Sequence, residues 1–114
     1  MLWIGFDLQA EIEAVGANNL TALHFAAMYS KEAVAAHLLQ AGASVRAVTD
    51  DGSTPLHWAA YNGETSIANL LLQANASTTA VSKYGYTPAQ WAKQNGHGDL
   101  AARLLEAEQA AALK

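Results

Sequence analysis

The sequence holds no cysteine, so it can build neither a disulfide framework nor a thiolate metal site. Basic residues are also few. Six Lys and Arg stand against ten Asp and Glu, for a formal net charge of -4, which leaves no basic footprint for a phosphate backbone and argues against nucleic acid as a partner. No apolar run approaches the ~20 residues that span a bilayer, so no membrane partner is expected. The opening Met1-Leu2-Trp3-Ile4-Gly5-Phe6 is apolar but lacks the basic segment and the length of a secretory signal. A soluble, intracellular, cytoplasmic protein is the expectation.

Signatures of catalysis are missing as well. There is no phosphate-cradling glycine loop, no Gly-x-Ser-x-Gly and no cysteine nucleophile. None of the four histidines has an acidic residue at the one-turn spacing of a zinc helix. No enzyme activity and no cofactor or metal are expected. The acidic pairs Asp50-Asp51 and Glu106/Glu108 read as solvated turn and helix-end charges. Asn19-Leu20-Thr21 and Asn75-Ala76-Ser77 match the glycosylation acceptor pattern, and read as chance matches in a chain without a secretory signal.

What the chain has is a period. Thr54-Pro55-Leu56-His57-Trp58-Ala59-Ala60 is preceded at 33 residues by Thr21-Ala22-Leu23-His24-Phe25-Ala26-Ala27 and followed at 33 by Thr87-Pro88-Ala89-Gln90-Trp91-Ala92-Lys93. Asn19, Gly52 and Gly85 hold one place two residues before each Thr, and Leu38-Leu39-Gln40-Ala41-Gly42-Ala43 returns as Leu71-Leu72-Gln73-Ala74-Asn75-Ala76. A period of this length marks a repeat architecture. Over roughly residues 10 to 109 the chain resembles the ankyrin-repeat family. The resemblance implies a solenoid in which a turn or hairpin and two antiparallel helices form each unit, and which binds other proteins.

The residues support an all-α fold directly. Hydrophobic residues make up 52% of the chain, many of them alanine, which suits closely packed helices. Thr54 and Thr87 can cap first helices, and Pro55 and Pro88 suit the first helical position. Gly63 and Gly96 follow Asn62 and Asn95 where a helix end needs positive φ. Repeat one has Ala22 for the proline, Asn19 for the hairpin glycine and Ser30 for the inter-helix glycine, so it should be the least regular unit. Second helices carry stripes at Val34/Leu38, Ile67/Leu71 and Leu100/Leu104, expected to stack on neighbouring repeats. One domain is expected over 1–114: a partial N-terminal repeat or cap at 1–15, then repeats at 16–48 and 49–81, and a third with the C-terminal cap at 82–114. Leu2, Trp3, Ile4 and Phe6 are expected to fold onto the first full repeat or onto another copy of the chain. Asp99 and Arg103 are spaced as an i, i+4 ion pair on the outer face of the last helix.

His24 and His57 recur three residues after Thr21 and Thr54. The resemblance gives such a histidine a structural role, bonding backbone near the turns and holding repeats in register, with Gln90 in its place in repeat three. His37 and His97 are expected to be wholly or partly exposed. Phe25, Trp58 and Trp91 share a motif position that is expected to face the interior. The resemblance also implies a partner surface on the concave side, made by hairpin tips and first helices. Carried onto this sequence, it comprises Ala17, Asn18, Leu20, Met28 and Tyr29; Asp50, Asp51, Ser53, Tyr61 and Asn62; and Lys83, Tyr84, Tyr86, Lys93 and Gln94. All four tyrosines fall on it. Its character runs from apolar through acidic to basic and aromatic, which would orient an elongated partner protein with basic groups near Asp50 and Asp51. The alternative is a self-associating unit that forms a homo-oligomer through the irregular N-terminal repeat; a regulatory segment of an enzyme comes after both.

Overall fold

A computed structural model describes residues 19–112, and the expected N-terminal cap, with Ala17 and Asn18, lies outside them. The described chain contains six helices in three pairs: α1 (Ala22–Met28) with α2 (Glu32–Gln40), α3 (Pro55–Asn62) with α4 (Thr65–Gln73), and α5 (Pro88–Gln94) with α6 (Gly98–Ala112).

Each first helix starts in the same way. Thr21, Thr54 and Thr87 are extended, and the side-chain oxygen of each accepts the amide of the residue three ahead, which is His24, His57 or Gln90. That residue's side chain returns to the threonine amide and completes a capping box, so two exposed amides are satisfied reciprocally. Each first helix also ends in the same way. The amides of Lys31, Glu64 and His97 reach back to the carbonyls of Ala26, Ala59 and Ala92 at 2.9, 2.8 and 2.8 Å. Such a closure needs a left-handed residue just before the returning amide. Gly63 and Gly96 supply it at φ 70° and 82°, and Ser30 adopts it at φ 61°.

Small residues bring the helices together. Ala26, Ala27, Ala59, Ala60 and Ala92 are all at most 2% exposed, with Leu23, Leu56, Ile67, Leu71 and Leu104 as the large fully buried side chains. First helices pack side by side, α1 on α3 and α3 on α5, while α2 packs on α4. Of the expected second-helix stripes, Ile67, Leu71, Leu100 and Leu104 are buried as expected. Val34 is not. It stays 48% exposed, because α2 has a neighbouring second helix on only one side among the described elements. Arg103 also departs from its expected pairing with Asp99. Its Nε donates to Asn69 Oδ1 on α4, so it spans two repeats instead of one helix turn.

Candidate interaction surface

The loops ahead of α3 and α5 are tight tips. Thr49 N donates to Ser53 O at 2.9 Å and Gly52 N to Thr49 O at 2.9 Å; Ser82 N and Gly85 N repeat these bonds to Tyr86 O and Ser82 O at 2.9 and 2.8 Å. A three-residue loop of this kind reserves its last position for a left-handed residue. Gly52 fills it at φ 78°, and a Cβ there would sit 3.0 Å from Lys83 N. The tips are thus in close contact. Asn19 Nδ2 donates to Asp50 Oδ1 at 2.6 Å and Lys83 N to Asp51 O at 2.7 Å, which joins three successive tips into one rim.

The motif histidines connect that rim to the helices. Thr21 N donates to His24 Nδ1 and Thr54 N to His57 Nδ1, both at 3.1 Å, so each Nδ1 is an acceptor and the proton sits on Nε2. Nε2 then donates to the tip of the next repeat, from His24 to Ser53 O at 3.1 Å and from His57 to Tyr86 O at 2.8 Å. Both rings are fully buried, and burial pushes both pKa values below the ordinary 6.5 despite these bonds. The neutral form is therefore built into the fold. Gln90 keeps only the capping half, with Oε1 accepting from Thr87 N at 2.8 Å.

A second series of bonds joins the ends of the first helices. Asn62 Nδ2 donates to Met28 O at 2.8 Å, and His97 Nε2 to Tyr61 O at 3.1 Å, so equivalent carbonyls each accept from the following repeat. His97 is only half-buried but has this register role, which the sequence reading did not give it. Its ring lies so close to Gly63 that a Cβ on Gly63 would meet Nδ1 at 2.6 Å.

Most of the residues expected on the partner surface are on the outside. Tyr29, Tyr61, Tyr84 and Tyr86 are all exposed, as are Asp50, Lys83, Lys93 and Gln94, while Leu20, Met28, Asp51 and Asn62 are half-buried. Ser53 is a correction. It is 0% exposed, because its carbonyl receives His24 and its amide faces Asp51, so the tip turns it inward. Asp51 is more than a solvated charge. Thr49 Oγ1 and Ser53 N both donate to its Oδ1, the latter at 3.2 Å. Partial burial opposes its charge, yet these bonds prevail and hold the carboxyl below the usual range.

The aromatic motif position is a second correction. Phe25 is 41% exposed and Trp58 and Trp91 are half-buried, instead of facing the interior. At 3.6 residues per turn Leu56, Ala59 and Ala60 share one face of α3, which leaves Trp58 and Tyr61 on the other. There Trp58, Tyr61 and Trp91 form a triangle with all three ring centroids 5.7 Å apart and the planes tilted 60–80°. Such edge-on contacts are the favoured aromatic geometry. Lys83 places its ammonium 5.8 Å over the ring of Tyr84. Leu20, Met28, Thr49, Asp50, Asp51 and Trp58 together line a pocket of about 310 Å³ between the first two first helices and the second tip.

Among the described residues no group of three or more His, Asp or Glu side chains could hold a metal ion, and no helix is long and apolar enough to cross a membrane. The architecture is that of a solenoid of stacked helix pairs joined by tight tips. The family model described as ankyrin repeats (3 copies) matches residues 4–81 and again 23–113, and the chain belongs to the ankyrin-repeat family. Proteins of this family generally serve as protein–protein interaction modules. No curated protein matches the chain.

Proposed function

We propose that this chain is a non-catalytic interaction module that binds an elongated segment of another protein across its tips and first helices. The observation that carries the reading is the aromatic triangle of Trp58, Tyr61 and Trp91, which stands on the open flank of α3 and α5 with Tyr61 44% exposed. Tyr and Trp are the residues most enriched among interface hot spots, because they offer large, rigid contact area at little entropic cost. The surface beside it changes from carboxylates at Asp50 and Asp51 on the second tip to Lys83 on the third and Lys93 in the last turn of α5, which gives a charged partner a preferred direction. Binding is favoured over acid–base chemistry because both ring nitrogens of His24 and of His57 are engaged in buried bonds.

Site-specific photo-crosslinking tests this reading. A benzophenone side chain placed at Tyr84 or Lys93 should capture a discrete partner in cells of origin, and one at Leu105, which is 49% exposed on α6, should not. Capture from Leu105 alone would refute the assignment of the face. Capture of only a second copy of this chain would support the self-associating alternative.

A further inference from the structure

The pocket beneath the second tip combines two chemistries. Its apolar walls are Leu20, Met28 and Trp58, and its rim is Thr49, Asp50 and Asp51. Both carboxylates are held in place through one oxygen each: Asp50 Oδ1 accepts from Asn19, and Asp51 Oδ1 accepts from Thr49 and Ser53. The bonds from Thr49 and Ser53 favour the charged form and hold the Asp51 carboxyl below its usual range. Neither carboxylate pairs with a cation among the described residues, since Lys83, which follows the next tip, directs its ammonium over Tyr84. Among the described residues, two fixed negative charges therefore overlook an apolar floor that no other described side chain covers or neutralises.

We propose that this pocket receives one arginine or lysine side chain of the partner protein, its methylenes on Trp58, Leu20 and Met28 and its cation between Asp50 and Asp51. The proposal rests on the reading of this face as the binding surface. Long basic side chains have the required division, an apolar stem with a charged head. The indole adds an aromatic face to which a cation is attracted. A volume of about 310 Å³ is at the lower end of the ~300–1,000 Å³ of small-molecule sites and suits a single side chain. A bare metal ion fits poorly, because the remaining walls carry no further ligands. A quaternary ammonium caged by rings fits poorly too, since Trp58, Tyr61 and Trp91 are already in mutual contact at 5.7 Å.

The probe is the peptide acetyl-Gly-Gly-Arg-Gly-Gly-amide, titrated into the 15N-labelled protein while the Trp58 indole and the Asp50 and Asp51 amides are followed by NMR. A saturable shift at these signals with a Kd on the order of mM is expected for one side chain. It should weaken at least about threefold in Asp50→Asn, a variant at an exposed position whose fold is checked by circular dichroism, and should weaken with added salt. The lysine peptide should behave alike. Peptides with citrulline, which keeps the shape but not the charge, or norleucine, which keeps only the stem, should bind at least about fivefold more weakly. Absence of a saturable shift at Trp58, or equal binding of citrulline, overturns the proposal. A partner crosslinked from Tyr84 whose capture is unchanged in Asp50→Asn also overturns it while the broader reading stands. If no partner crosslinks from Tyr84 or Lys93, the broader reading fails first.

Discussion

His57 provides the sharpest test of how the repeats are held in register. In His57→Ala, Thr54 N loses its acceptor at 3.1 Å, and the Tyr86 carbonyl loses the inter-repeat donor at 2.8 Å while keeping the bond from Ser82 N at 2.9 Å, in a site where the ring itself is 0% exposed. The amide left unsatisfied costs about 1–3 kcal/mol and the lost bond to the carbonyl about 0.5–1.5 kcal/mol. The ring also supports Trp91, whose centroid lies 5.2 Å away, and its removal adds a cavity. A loss of roughly 3–5 kcal/mol is expected, a large part of the ~5–15 kcal/mol available to a domain. His57→Gln is the informative companion. Gln90 already makes the capping half of the bond in repeat three, so glutamine at 57 should keep the helix start and weaken only the reach to Tyr86, costing about 1–2 kcal/mol. Urea unfolding followed by circular dichroism measures both. A cost below about 1 kcal/mol for His57→Ala, or equal costs for the two variants, would refute the division into a capping bond and an inter-repeat bond.

Three further outcomes follow from the geometry. His24 and His57 titrate below 6.5 in the fold, so as pH falls beneath 6.5 the unfolded chain takes up protons that the folded chain refuses. Stability should therefore be flat above that pH and decline below it, by at most about 1.4 kcal/mol per pH unit for each histidine; denaturation midpoints between pH 5 and 8 check this, and His57→Gln should lessen the slope. Gly63→Ala forces an alanine to φ 70° and a Cβ to 2.6 Å from the His97 ring, so it should cost about 1–2 kcal/mol for the backbone alone and shift the His97 resonances. Ser30→Gly relieves a serine at φ 61° but removes its exposed hydroxyl bond to Glu64, so a small net gain of about 0.5 kcal/mol in unfolding free energy, read as a higher urea midpoint, is expected, and a loss would contradict the strain at this turn.

The helical frame was readable because its causes are local. A threonine followed three residues later by a histidine or glutamine encodes the capping box, and Gly63 and Gly96 encode the chain reversal. Repeat one was expected to be the least regular unit, yet Asn19 and Ser30 take the left-handed places that glycines hold elsewhere, at φ 62° and 61°, and its first helix is capped and closed as the others are. The candidate site was less readable, because a period tells which positions are equivalent without telling which way they face. Trp58 and Trp91 looked like layer-filling core residues, yet the Leu56, Ala59 and Ala60 face already packs the helix and leaves Trp58 on its flank. Ser53 looked like a tip residue, but the bond from His24 comes from the preceding repeat, 29 positions away, and turns it inward. His97 to Tyr61 O and Arg103 to Asn69 are likewise contacts between repeats that no window of one repeat contains.

The central claim is that partner binding uses the exposed tyrosines beside the aromatic triangle. The most direct measurement is capture of interacting proteins from cells of origin by the wild type and by a Tyr61→Ala, Tyr84→Ala, Tyr86→Ala variant, after circular dichroism shows both to be helical. The account predicts that a discrete protein is retained by the wild type and lost from the variant. Identical capture by both, or capture of nothing except further copies of the chain, would contradict it.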